Sequence, residues 1–316
     1  MLELKNITKI YRVGTFGGKE LRAVNDVSLN VAEGEVVSLI GESGSGKSTI
    51  GKMILRLIPI TFGTILFNGV DISTLQGDGL KEYYRTVQGV FQDPFSSYNP
   101  IFKADRIFDI IHEEFFPQIK GKAWEEKVED SLKSVGMNPE HVLNKFPHQL
   151  SGGQLQRFLI ARALLLDSRF LVADEIISML DASTRIDVLN LLVDLKSRGL
   201  SVLFITHDLS LGYYISEKAV ILYHGCVVEM GKTEKIYAHP MHPYTQMLMK
   251  SVPRLDGHWE AVGDDVERTV DRTEGNTGCP YYARCPVALT GTCNTQTPQL
   301  IEMEPDHFVS CWLYKK

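Results

Sequence analysis

The amino-acid sequence predicts an α/β fold, and three features carry that prediction. A short apolar run, Val36-Val37-Ser38-Leu39-Ile40, leads into a glycine-rich turn and then into helical spacing at Ile50, Met53, Ile54 and Leu57. Two more apolar runs, Phe170-Leu171-Val172-Ala173 and Val202-Leu203-Phe204-Ile205-Thr206, read as buried strands that end on titratable residues, Asp174 and His207. Between Ile40 and Phe170, Trp124, Val128, Leu132 and Val135 recur at helical spacing among Glu and Lys, as on an amphipathic helix. Buried strands interleaved with helical segments are the α/β pattern.

The turn after the first strand reads GESGSGKST from Gly41. Gly41-x-x-x-x-Gly46-Lys47-Ser48 matches the phosphate-binding P-loop in its required context of strand, turn and helix. Gly41, Gly44 and Gly46 let the backbone turn successive N–H groups inward around phosphate oxygens, and the helix start adds a partial positive charge. The expected nucleotide-binding residues are therefore Gly41, Glu42, Ser43, Gly44, Ser45, Gly46, Lys47, Ser48 and Thr49. Lys47 would reach the β- and γ-phosphates of ATP, and the Ser48 hydroxyl would bind Mg²⁺.

Asp174 closes the second strand, where an acid can hold Mg²⁺ through its water shell. Glu175 follows and is placed to polarise an attacking water, although two solvated carboxylates after a core strand would look the same alone. His207 ends the third strand, and its company makes it a candidate to contact the γ-phosphate or orient the water. Gln92, in VFQDP, offers an amide for Mg²⁺ or the water, and Asp93-Pro94 breaks the strand directly after it.

A second helix start with small residues, Ser151-Gly152-Gly153-Gln154, stands in LSGGQLQR. Two phosphate-binding helix starts on one chain point to two chains sharing each nucleotide. Here the sequence resembles the ATP-binding-cassette (ABC) ATPases, with LSGGQ, the acid pair Asp174-Glu175, a D-loop ending at Asp181, a Q-loop at Gln92 and a switch histidine at His207. The resemblance implies a P-loop cassette with a RecA-like core, an antiparallel β-subdomain and a helical subdomain. It also implies that Ser151 and Gly153 bind the γ-phosphate held by the partner's P-loop. Tyr11, in ITKIYRVG, matches the family's adenine-stacking aromatic; a core tyrosine after an N-terminal strand is the alternative.

HPMHPYTQMLMKSVP from His239 and the closing cysteine segment resemble the C-terminal extension of ATPases from dipeptide, oligopeptide and nickel-type importers. The implied organisation is a nucleotide-binding domain over 1–237, with its helical subdomain at about 93–165, followed by an extension over 238–316. The implied function is the ATP-hydrolysing subunit of a peptide importer. Its implied partners are a second, non-identical ATPase subunit, two membrane-spanning permease subunits and an extracytoplasmic substrate-binding protein. VFQDP and SSYNP look more like the second ATPase subunit of such importers than the first. Oligosaccharide or nickel import is the alternative cargo, and a soluble ABC ATPase acting on nucleic acid or ribosomes the alternative class. Two residues depart from the family pattern: Ile176-Ile177 stand where Pro and Thr or Val usually follow the glutamate, and Leu155 replaces a commonly polar residue. Two β-branched residues are expected to extend the strand, shift the D-loop and slow this subunit's own site.

Composition agrees. The 316 residues suffice for one cassette and a small appendage, and 44% hydrophobic with 23% charged residues is ordinary for a globular protein. A net charge of −6 argues against a nucleic-acid surface. No apolar run reaches bilayer length and MLELKNITKIY is too charged for a signal peptide, so the expected location is peripheral, on the cytoplasmic face of the inner membrane through partners. Residues 256–278 are charged and poor in large apolar groups, as in a loop.

Four of the five cysteines, Cys279, Cys285, Cys293 and Cys311, are spaced C-x5-C-x7-C-x17-C in the tail. Disulfides are not expected in a cytosolic ATPase, and the paired C-x2-C knuckles of structural zinc are absent. Irregular spacing with Pro280 and Pro286 nearby suits a larger iron–sulfur cluster. The importer ATPases that the chain resembles carry a [4Fe–4S] centre in this tail; zinc is the alternative, then free thiols. Cys226, in LYHGCVVEMG, reads as a strand residue of a hairpin.

Overall fold

The run Val36–Ile40 has no polar face, and all five of its residues are fully buried, as a strand covered on both sides requires. The structure, a computed structural model, describes residues 1–14, 18–250 and 278–314. Its strands are β1 (Leu2–Val13), β2 (Lys19–Val31), β3 (Val36–Ile40), β4 (Phe62–Phe67), β5 (Val70–Asp71) and β6 (Val87–Val90). They continue with β7 (Phe170–Asp174), β8 (Ser201–Thr206), β9 (Lys218–Tyr223), β10 (Cys226–Lys232), β11 (Ile301–Glu304) and β12 (His307–Val309). The loop expected over 256–278 lies, except for its last residue, outside the described residues.

The chain divides into two compact units. The first comprises Met1–Val31, Val36–Ser73 and Ile205–Lys316. It holds an antiparallel sheet in the order β2-β1-β4-β5, where β1 alternates inward Leu2 and Leu4 before bulges shift its register against β2. It also holds β11-β12-β10-β9-β3, in which β3 runs parallel to β9 and the remaining pairs are antiparallel. The expected hairpin is there, with His224-Gly225 as its two-residue turn and Cys226 opening β10. The cysteine-rich tail thus adds two strands to this unit.

The second unit comprises Ala32–Glu35 and Thr74–Phe204. Strands β8, β7 and β6 lie side by side in that order, with β6 parallel to β7. Helices Arg106–Phe115, Lys122–Ser134, Pro139–Val142 and Gly152–Leu165 occupy the span read as helical. Trp124, Val128, Leu132 and Val135 turn inward together, the Trp124 ring stacks on His112 at 4.5 Å, and Phe108 stacks on Phe158 at 4.8 Å.

One expectation is overturned. Ile176 and Ile177 do not extend β7, which stops at Asp174. Glu175 takes φ +50°, outside the strand region, and the Glu175 carbonyl accepts the Ser178 N–H at 3.1 Å to close a turn. Both isoleucines are buried, so core packing rather than strand propensity sets their place.

Candidate functional site

In the first unit, β3 delivers the chain into the turn from Gly41 to Gly46, and the helix Lys47–Ile54 follows. A Cβ on Gly41 would lie 2.2 Å from the Leu222 carbonyl oxygen, and one on Gly46 would lie 2.4 Å from that of Ala23. Backbone therefore backs the loop at both ends. Gly225, at the β9–β10 turn, donates its N–H to the Ser45 carbonyl at 2.9 Å. Lys47 is buried, and its ammonium donates to the carbonyls of Gly41 (2.7 Å) and Glu42 (2.9 Å). Gly46 caps the helix at φ 103° and, having no side chain, makes no cap bond to the N–H groups of that helix start.

Two other expected residues belong to this unit. Tyr11 sits on β1, half-buried, with the Lys9 ammonium 5.1 Å from its ring centre, so it is not a core tyrosine. His207 is exposed immediately after β8; the next residue, Asp208, caps the helix Leu209–Ile215 by accepting the Ser210 N–H at 2.8 Å.

The second unit carries the remaining candidates. Asp174 is buried at the end of β7 and Glu175 is half-buried beside it. Gln92 is exposed two residues past β6, a strand end held from the signature helix: Arg162 donates to Gly89 O at 2.7 Å and Gln156 to Phe91 O at 3.3 Å. Asp181 caps the helix Ala182–Ser197. Hydrogen bonds from the Ser183 hydroxyl, the Thr184 N–H and the Thr184 hydroxyl hold its carboxyl well below the ordinary carboxylate range. Arg185, which no motif announces, clamps the D-loop by donating to Leu180 O (2.8 Å) and Ser178 O (3.2 Å).

Ser151 caps the helix Gly152–Leu165 in a reciprocal box: its hydroxyl accepts the Gln154 N–H at 3.2 Å, and Gln154 Oε1 accepts the Ser151 N–H at 2.9 Å. A Cβ on Gly153 would lie 2.6 Å from Thr184 Cγ2, whereas one on Gly152 would meet nothing within 3.4 Å. Ser151, Gly153, Gln154, Arg157 and His141 line part of a cavity of about 430 Å³. Leu155 is fully buried, which accounts for an apolar residue there.

These features are matched by known proteins. Residues 24–178 match the family model described as ABC transporter, and 228–293 match that of the oligopeptide/dipeptide transporter C-terminal region. The oligopeptide transport ATP-binding protein AppF of Bacillus subtilis is 40% identical over 99% of this chain and 97% of its own length. The chain belongs to the ABC transporter ATPases of the oligopeptide/dipeptide type. OppF of Streptococcus mutans, also named an oligopeptide transport ATP-binding protein, is 44% identical over 81% of this chain and 82% of its own. Among solved structures, the dimeric ATP-binding cassette MJ0796 in a post-hydrolysis state with ADP and Pi superposes with a TM-score of 0.66 at 32% identity, over 74% of this chain and 99% of that one. The fold of this ABC ATPase is the P-loop cassette.

The C-terminal region of this ABC subunit is built around a buried carboxylate. Glu229, fully buried on β10, accepts the N–H groups of Met241 (2.8 Å) and His242 (2.9 Å) and pairs with His307 Nε2 at 2.7 Å. His242 Nδ1 accepts the Tyr244 N–H at 3.0 Å, and Tyr244 packs with Tyr223 and Tyr281 in one aromatic group. The HPYT segment is therefore a structural hinge-pin for the tail, which its sequence alone does not reveal.

The four tail cysteines lie within electrostatic reach of one another. None is in a disulfide, and Cys279, Cys293 and Cys311 are buried. Burial pushes the Cys279 thiol up to about 12 and raises Cys311, with the neighbouring cysteines adding to both. Among the described residues, however, no three His, Cys, Asp or Glu side chains converge as ligands of a metal ion.

Proposed function

We propose that this ABC subunit hydrolyses ATP to power peptide uptake by a binding-protein-dependent importer. The observation that carries it is the pair of helix starts on one chain, Gly46-Lys47 and Ser151-Gly152, joined to the C-terminal region shared with the oligopeptide transport relatives. In this reading the Gly41–Thr49 segment holds the triphosphate and Tyr11 stacks on adenine. Ser151 to Gln154 and Asp181 close on the nucleotide held by a second, non-identical ATPase subunit. Ser48 and Gln92 would bind Mg²⁺, with Asp174 acting through water; the ion supplies positive charge against the phosphate oxygens. Glu175 accepts a proton from the water attacking the γ-phosphorus, His207 steadies the phosphoryl oxygens, and ADP leaves as the P–O bond breaks.

The nucleotide-binding domain spans 1–237, with the helical subdomain at about 93–165 and the extension at 238–316. Two permease subunits hold the ATPase pair on the cytoplasmic face, and a binding protein delivers the cargo. ATPase stimulation of the assembled complex by that binding protein, loaded in turn with peptides, oligosaccharides or nickel, tests the cargo: peptides alone should stimulate, and stimulation by sugars or nickel alone overturns it. Glu175→Gln here and the matching partner substitution, each made alone, should reduce the rate unequally; equal losses overturn the slower-site reading of Ile176-Ile177.

The iron–sulfur reading rests on four cysteines outside disulfides and within one another's electrostatic reach and on the family resemblance, so composition tests it rather than geometry. Protein purified without air should carry about four irons per chain, fewer after Cys293→Ser. Iron-free protein overturns it.

A further inference from the structure

Glu42 is the second residue of the phosphate loop, and it is held from the tail rather than turned into the loop. Its backbone N–H donates to the Tyr244 hydroxyl at 2.9 Å, across 202 residues of sequence. Its carboxylate pairs with the Arg284 guanidinium at 2.8 Å, across 242 residues. Its carbonyl accepts the Lys47 ammonium at 2.9 Å. Three groups of one loop residue are thus taken by two tail residues and the P-loop lysine.

Neither tail contact is a chance surface meeting. Tyr244 is fully buried in the aromatic group with Tyr223 and Tyr281, and Arg284 also hydrogen-bonds Tyr223. Arg284 lies on a short turn between Cys279 and Cys285, where the Arg284 N–H donates to Tyr281 O at 3.1 Å. The ion pair is partly covered, with Arg284 25% and Glu42 38% exposed, so solvent screens it only in part.

Electrostatics gives these contacts a purpose. A carboxylate beside the first glycine of a phosphate loop carries the same sign as the triphosphate, and an unpaired one would repel it. Pairing with a guanidinium cancels that charge and fixes its position. We propose that Arg284 is a positioning residue for ATP binding, neutralising Glu42 and holding the phosphate loop open from the C-terminal tail. Tyr244 fixes the same residue through its backbone. The tail is then part of the nucleotide site's support.

Equilibrium binding of a fluorescent ATP analogue (mant-ATP with Mg²⁺) to the full chain tests this, with thermal unfolding recorded for each variant. Binding by the native chain is the control on the ATP reading itself. Arg284→Ala should weaken the dissociation constant about three- to fivefold, the scale of a partly screened pair. Glu42→Gln alone leaves the Arg284 charge uncancelled near the phosphates and should tighten binding. Combining both substitutions should restore affinity to within about twofold of native, because the repulsive charge is gone. Unchanged affinity in Arg284→Ala overturns the proposal. So does a loss that persists in the double variant, since it would come from tail packing and not from charge.

Discussion

The two helix starts of this subunit answer the same electrostatic problem in opposite ways. At Gly46 no cap side chain bonds the helix, Gly41 and Gly46 are pressed against backbone oxygens, and the buried Lys47 is tied to the loop's own carbonyls. At Ser151 the helix caps itself through the Ser151–Gln154 box, and only Gly153 is sterically tight. The first is a cradle whose cap residue has no side chain to bond the helix's N–H groups. The second, in the proposed two-chain site, would exchange one internal hydrogen bond for a phosphate oxygen. A P-loop is thereby suited to hold nucleotide within one chain, whereas the signature's self-capped start suits the reversible contact with a partner chain proposed above.

The largest expected effect separates them by sterics. Gly46→Ala puts a methyl 2.4 Å from the Ala23 carbonyl at φ 103°, so it should cost about 3 kcal/mol in urea unfolding and abolish mant-ATP binding. Gly153→Ala meets only the movable Thr184 methyl at 2.6 Å; it should cost about 1 kcal/mol and leave mant-ATP binding intact while lowering dimer-dependent ATPase. Equal effects on binding would erase the distinction.

Acid should separate them next. Burial holds the His242 imidazole down to about 4 from its ordinary 6.5, against a smaller opposing pull from Glu229. The unfolded chain binds more protons than the folded one between those values. The stability from neutral His242 is therefore whole above pH 6.5 and lost as pH falls toward about 4, by up to about 3 kcal/mol. Hydrogen exchange at pH 5 should loosen 41–46, whose Glu42 is tied to the tail, before 151–154. Simultaneous loosening would contradict that order.

The smallest effect is at the cap. Ser151→Ala should cost about 1 kcal/mol of stability by thermal unfolding, and its ATPase loss should appear only in the assembled complex. A defect in mant-ATP binding by the single chain would place Ser151 in the wrong site.

Much of this could be read from residue order because the information is local. Glycines at 41, 44 and 46 followed by Lys47 and Ser48 specify a loop whose shape depends on its own backbone. Helical spacing at Trp124, Val128, Leu132 and Val135 marks a buried stripe whatever covers it. The same local reasoning failed at Ile176-Ile177, where β-branched residues point to a strand. There the turn at Glu175 and the burial of both side chains override propensity. At the cysteines spacing along the chain settles nothing, because it does not say where four sulfurs point.

The sequence by itself determined the nucleotide chemistry, the family and the signature helix, since each depends on residues within a few positions of one another. Tertiary structure alone decided what those motifs lean on. Glu42 meets Tyr244 and Arg284, and Glu229 meets His307, across 202, 242 and 78 residues. No local pattern encodes such partners. They are chosen by the packing of β9, β10 and β12, which brings distant side chains within hydrogen-bond reach and buries them where an unpaired charge would be costly.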